Sequence, residues 1–196
     1  MSNLAIIKNT LSDAQTALQN LLANENTLQA IERAAAQLVT TFTKSGRVFS
    51  CGNGGSMCDA MHFAEELSGR FRLDRPALPA ASISDPSHIS CVGNDYGFDF
   101  VFSRYLEAHA RAGDVLLAIS TSGKSKNVMA AVDTAKKCGV KVIGMMGNAA
   151  SPLGQSADIV IATPGGTYAD RVQELHIKII HILIELTERA LFPENY

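Results

Sequence analysis

His62 and Glu66 stand four residues apart in Asp59-Ala-Met-His-Phe-Ala-Glu-Glu-Leu67. On a helix this spacing stacks an imidazole and a carboxylate on one face. Such a pair suits a divalent metal, or a carboxylate base beside an electrophile. The plainer alternative is a solvated surface pair. With Ala60, Met61, Ala64 and Leu67 as the buried face, Asp59, His62, Glu65 and Glu66 point away from the core. Gln173 and His181 lie eight apart in an apolar helical stretch, about 80° apart on a helical wheel. His181 borders a narrow polar stripe and could reach a site. His176 falls within the apolar arc and reads as a satisfied core histidine.

Two Gly/Ser loops offer a different chemistry. Cys51-Gly-Asn-Gly-Gly-Ser56 follows the run Arg47-Val-Phe-Ser50, and Ser120-Thr-Ser-Gly-Lys-Ser125 follows Val115-Leu-Leu-Ala-Ile119. Each precedes a helical pattern. A strand, a small-residue loop and a helix N-terminus together present free N–H groups and hydroxyls to an anion. Two such loops at the ends of one sheet imply a phosphorylated small molecule. The second loop nearly matches a Walker A sequence, but its first position is Ala118, still within the strand. Its clustered hydroxyls suit a monophosphate better than a triphosphate, and a Ser-rich helix cap is the structural alternative. Asn94 and Asp95, in the polar run Ser84–Gly97, could bond sugar hydroxyls or simply make turns.

The elements that must position these residues alternate in type. Strands are expected at 47–51, 79–84, 114–119, 140–146 and 158–162, and helices at 57–69, 99–110, 126–138 and 168–191. This rhythm predicts an α/β fold with a parallel sheet covered on both faces. Before it, Leu4, Ile7, Leu11, Ala14, Leu18 and Leu21 keep helical spacing. Asn26-Thr-Leu-Gln29 reads as a capping box for a second helix through Phe42, so residues 1–45 form a helical hairpin and 46–196 the α/β core of a single domain. Phe71–Pro79 reads as a linker. On the last helix, Leu175, Ile177, Ile179, Ile180, Ile182, Leu183, Ile184 and Leu186 cover more than half the circumference. Glu174, Lys178, His181, Glu185 and Glu188 form the polar stripe. Packing on several sides, and with it a homo-oligomer, follows from this pattern.

Composition narrows the partners. The chain has 196 residues, with 17 Lys+Arg against 19 Asp+Glu and no long basic run, so neither nucleic acid nor an anionic membrane is the default partner. The first residues lack the continuous apolar core of a signal peptide, and no stretch reaches the ~18 apolar residues of a membrane span. A cytoplasmic protein is expected. Cys51, Cys58, Cys91 and Cys138 form no C-x-x-C motif. Cys51 and Cys138 read as small buried hydrophobes.

Taken together, Cys51–Ser56, Asp59–Leu67, Ile83-Ser-Asp85, His88–Asp95, Ile119–Gly123 and Tyr168–Lys178 resemble the sugar isomerase (SIS) domain family. Within it they are most similar to the phosphoheptose isomerases, which act on sedoheptulose 7-phosphate. The similarity runs over nearly the whole chain. The Ser-Thr-Ser-Gly loop marks only the broad family; His62 with Glu66, and Gln173 with His181, are far more specific.

The resemblance implies a five-stranded parallel sheet and a homotetramer with active sites between subunits, which would turn the His62/Glu66 face into a cleft. It implies phosphate binding by Ser120, Thr121, Ser122 and Ser125, and sugar contacts from Asn53, Gly54, Gly55, Asn94 and Asp95. It also implies one zinc per subunit on His62, Glu66, Gln173 and His181, with Glu66 and Gln173 touching substrate, Glu66 and His181 as acid/base groups, and Asp170 near the site. Met57 stands where several relatives carry His and others Ala, so it does not count against activity. The reaction so implied is ketose-to-aldose isomerisation through an enediol, feeding lipopolysaccharide, capsule or another heptose conjugate. A non-catalytic branch that binds the bacterial replication initiator is also similar, even at Leu191-Phe-Pro193. That branch lacks a counterpart of Glu66. A sugar-phosphate sensor and an isomerase of another sugar phosphate are further alternatives.

Overall fold

The chain opens with two antiparallel helices, because each start carries a side chain able to cap it. In this computed structural model, which describes residues 1–163, 165–166 and 168–196, Ser2 Oγ accepts from Ala5 N at the start of α1 (Asn3–Leu22). Asn24 Oδ1 accepts from Thr27 N at the start of α2 (Glu25–Thr43). The cap is therefore Asn24 and not Asn26. The hydroxyl of Thr27 instead donates to Ala162 O, fastening the hairpin to the sheet.

The sheet contains β1 (Val48–Cys51), β2 (Ala80–Ser82), β3 (Val115–Ile119), β4 (Lys141–Met146) and β5 (Ile159–Ala162), all parallel, in the order β2-β1-β3-β4-β5. Strand β3 is buried throughout. Val115, Leu117 and Ile119 face one apolar cluster, with residues of α2, α3 (Gly55–Ser68) and α8 (Ala169–Leu191). Leu116 and Ala118 face the other, with residues of α4 (Pro86–Asp95), α5 (Ser103–His109) and α6 (Lys126–Lys137). This alternation explains why the strand reads as continuously apolar. The winding reverses between β1 and β3, so the loops after these two strands part and leave a crevice at their carboxyl ends.

Several elements differ from the sequence reading. The polar run 84–97 is mostly helix: Asp85 caps α4 by accepting from His88 N at 2.8 Å, and Pro86 occupies its first turn. The expected helix 99–110 is a 3-10 turn, Phe98–Phe100, followed by the shorter α5. A further short helix, α7 (Pro152–Ser156), starts at Ser151. Met61 lies outside the buried face of α3 at 48% exposure, and Phe63 takes its place. Glu188, read as part of a polar stripe, is buried. The 71–79 segment is more than a linker, because its Arg75 is buried against Glu188. Burial pushes the Cys51 thiol up to about 12, consistent with an inert core residue.

Candidate active site

Helices α3 and α8 pack together and bring three side chains to one point. His62 Nε2 lies 3.1 Å from Glu66 Oε1. His181 Nε2 lies 3.3 Å from His62 Nε2 and 3.8 Å from Glu66 Oε2. The two histidines are about two-fifths exposed, whereas the Glu66 side chain is only 15% exposed. The face is neither a solvated surface nor a closed core. Phe71 stacks on the His181 ring at 5.8 Å and fixes its plane. Among the described residues Glu66 Oε2 is buried without a hydrogen-bond partner. A buried carboxylate oxygen without a donor is costly unless something else neutralises it.

These spacings suit a small divalent ion. Tetrahedral zinc holds donors at about 2.0–2.1 Å, which places neighbouring donors about 3.3–3.4 Å apart. The observed separations of 3.1, 3.3 and 3.8 Å bracket that edge. Two imidazole nitrogens turned toward each other also need a proton or a cation between them. Asp59, one turn before His62, has a buried Oδ2 without a partner among the described residues. Burial pushes its carboxyl up to about 6, with His62 opposing.

The loops after β1 and β3 meet across the crevice. Asn53 and Asn127 exchange two amide hydrogen bonds of 2.8 and 2.9 Å, joining the first loop to the first turn of α6. The side chain of Asn53 is thus turned to Asn127. Ser120 Oγ sits 3.1 Å from Ser125 Oγ and 3.5 Å from Ser122 Oγ, and Ser122 Oγ accepts from Lys124 N. Ser125 caps α6, and Gly54 caps α3, without a side-chain bond to the helix. Ser56 N and Met57 N bond to Asn53 O and Gly54 O, and Val128 N to Asn127 Oδ1, so among the described residues Gly55 N, Lys126 N and Asn127 N are the first-turn donors left open to a ligand. Gly54 and Gly123 adopt φ of +55° and +64°, the left-handed region that lets these turns fold back tightly. A cavity of about 550 Å³ adjoins Thr121 and Ser122, with Asn148, Ser151 and Tyr168 on its walls.

The remaining sequence candidates lie apart from the trio. Gln173 rests its amide against Gly55, whose Cβ, if present, would stand 2.6 Å from Gln173 Nε2. It therefore attends the first turn of α3, two turns before His62. Asn94 and Asp95 are exposed at the end of α4 and bond each other at 2.8 Å. Asp170, exposed in the first turn of α8, accepts from Arg171 N. His176 is buried, as expected of a core histidine, and the Met146 backbone is its loosely bonded polar partner. Burial holds it down at about 4, hence neutral at pH 7. Asn127, Phe71 and Arg75 escaped the sequence reading. A polar residue directly after the Ser125 cap was the only signal for the first, and nothing local marks the other two.

The SIS domain family model matches residues 11–147. A phosphoheptose isomerase of Enterobacter sp. (strain 638) is 56% identical over 186 residues, spanning 95% of this chain and 97% of that one. The structure of a phosphoheptose isomerase from Francisella tularensis has a TM-score of 0.90 at 34% identity, covering 96% of this chain and 100% of the other. The corresponding structure from Neisseria gonorrhoeae has a TM-score of 0.89 at 32% identity, covering 95% and 99%. With the parallel sheet, the hydroxyl loop and the His/Glu trio in place, the chain belongs to the SIS domain family and, within it, to the phosphoheptose isomerases.

Proposed function

We propose that this chain is a ketose–aldose isomerase that converts D-sedoheptulose 7-phosphate to D-glycero-D-manno-heptose 7-phosphate, the first step toward nucleotide-activated heptose. The observation that carries the reading is the trio itself: a largely buried carboxylate, with one oxygen unpartnered among the described residues, held by two imidazoles in a chain that also carries a hydroxyl-rich anion loop. A pure binding protein would use the loop but has no need of that base.

Isomerisation moves one carbon-bound proton and one hydroxyl proton. Glu66 takes the proton from C1 to leave an enediol, then returns a proton to C2; the O1 proton passes to O2, with His181 as carrier. The phosphate is held by Ser120, Thr121, Ser122, Ser125 and the open N–H groups of α6. Gly54, Gly55 and Gln173 contact the sugar at the start of α3, together with the backbone of Asn53.

Zinc, one per subunit, is the ion this donor set fits, held by His62, Glu66 and His181; Gln173, whose amide rests on Gly55, would have to turn along α8 toward the trio to serve as the fourth residue. Bound there, it supplies Lewis-acid polarisation of the substrate carbonyl. His181 Nε2 can serve a metal or a proton, one at a time. Glu66 divides its two oxygens more easily, because Oε1 faces His62 while Oε2 has no donor among the described residues.

A homotetramer completes the proposal. Leu4, Ile7 and Leu11 on α1, and Ile182 and Leu186 on α8, leave apolar surface uncovered in one chain. Asn94 and Asp95 would then reach a neighbouring subunit's site. We place the enzyme in the cytoplasm as one domain of residues 1–196, hairpin included. No described helix is long and apolar enough to cross a membrane. The test is zinc-loaded protein with sedoheptulose 7-phosphate, followed by NMR for the anomeric signals of the aldose. Absence of aldose from a metal-bound tetramer would reject this substrate.

A further inference from the structure

We infer that Arg75 is a positioning residue that sets the distance between Glu66 and His181; the inference rests on the site proposed above. Helix α3 ends at Ser68, two residues past Glu66, and its cap Gly69 sends its N–H to Glu65 O. The carbonyls of Glu66 and Leu67 therefore need outside donors. Leu78 N donates to Leu67 O at 3.0 Å, and Arg75 supplies the rest: Nη2 donates to Glu66 O at 2.6 Å, and Nη1 to Leu67 O at 2.8 Å and Gly69 O at 3.1 Å.

The same guanidinium turns its Nε to Glu188 Oε1 at 2.7 Å. Glu188 lies on α8, seven residues and two turns after His181, on the same side of the helix. One side chain thus spans from the backbone of the proposed base to the helix that carries the second imidazole. Both partners are almost fully buried, at 1% and 2% side-chain exposure. Tyr196 OH donates to the second carboxylate oxygen of Glu188 at 2.8 Å, which fixes the carboxylate from behind.

The chemistry of the pair points to registry. A buried ion pair returns little net stability compared with apolar residues of similar volume, because both ions lose their water. What it does supply is fixed geometry. Only the planar fork of arginine can face a carboxylate and several carbonyls at once; lysine offers one ammonium on a flexible stem. The trio spacings of 3.1–3.8 Å leave little room for drift between the helices. A misplacement of about 1 Å in a catalytic group can lower a rate about 100-fold.

The test is the double variant Arg75→Met/Glu188→Met, which removes both charges at similar volume, with Arg75→Lys as a second variant that keeps the ion pair and loses the fork. Three quantities are read against the parent: zinc affinity by chelator competition, kcat with KM, and the melting temperature. Folded variants should bind zinc about tenfold or more weakly. Their kcat should fall at least as far while KM stays near the parent value, because the phosphate loop sits on other elements. Zinc affinity and kcat both within twofold of the parent would overturn the proposal. So would failure of both variants to fold, which would make Arg75 a purely structural residue. Zinc affinity is measured without turnover, so a parent chain inactive on the heptulose still decides the point. A parent that holds no zinc would overturn the site reading and this inference together.

Discussion

The Asn53–Asn127 pair should be the joint that keeps the two anion loops in register. It is also open to a quantitative test. The residues exchange two hydrogen bonds of 2.8 and 2.9 Å, and Asn127 Oδ1 additionally accepts from Val128 N. At a net ~0.5–1.5 kcal/mol per bond, the pair should couple by about 1–3 kcal/mol. Asn127→Ala, which also loses the bond to Val128, should cost about 3 kcal/mol, or roughly 6–12 °C in melting temperature for a chain of this size. The assay is a double-mutant cycle of Asn53→Ala and Asn127→Ala, by urea unfolding at one protein concentration. Inhibition by inorganic phosphate is read in parallel. Each single variant should weaken phosphate severalfold although the Asn127 side chain is engaged by Asn53 and Val128. Effects that add to within about 0.3 kcal/mol would show that the two amides act independently and would refute the reasoning.

Other outcomes follow from the same geometry. Gly123→Ala should destabilise the protein by ~2 kcal/mol or more and weaken phosphate binding, because φ is +64° and the new Cβ would stand 2.0 Å from Ser151 Oγ. Adding Ser151→Gly should recover the clash but not the strain, as thermal melts would report. His176 should make the fold acid-sensitive: unfolded it takes up a proton near pH 6.5, folded only at about 4, so stability falls as pH drops through that window. The slope attributable to one proton is at most ~1.4 kcal/mol per pH unit, and it should vanish in His176→Leu when the two melting curves are compared. Stripping the metal with a chelator should stop turnover and lower the melting temperature. Zinc should restore both, and His62→Ala should prevent the restoration.

Much of this architecture is written in local patterns. Val115–Ile119 reads as a doubly covered strand because alternate residues face two clusters, and both faces are apolar. The Gly/Ser loops announce themselves because only small residues permit their turns. The misreadings arise where the decisive contact is distant. Asp85-Pro86 holds a helix-start signal, but the Asn, Asp and Gly that follow resemble turn chemistry, and α4 was missed for that reason. Asn26 resembles a cap in the sequence, but Thr27 N bonds to Asn24 Oδ1 and the helix starts earlier, while the Thr27 hydroxyl goes to Ala162, 135 residues away. A helical wheel assigns Glu66 and Glu188 to solvent. It cannot show that α8 closes over the first or that Arg75 buries the second. His62 and His181 are 119 residues apart in the chain, so their meeting follows from how α3 and α8 pack and not from any local spacing.

Glu66 carries the central claim, and one measurement addresses it directly. Zinc-loaded parent and Glu66→Gln are each incubated with sedoheptulose 7-phosphate in D2O and followed side by side by NMR. The parent should form the aldoheptose 7-phosphate, while Glu66→Gln, folded and of the same oligomeric state, should be slower by about 100-fold or more. It should also fail to exchange the C1 protons of the ketose for deuterium. Conversion by Glu66→Gln at near the parent rate would contradict the assignment of the base, and no conversion by the parent would contradict the reaction.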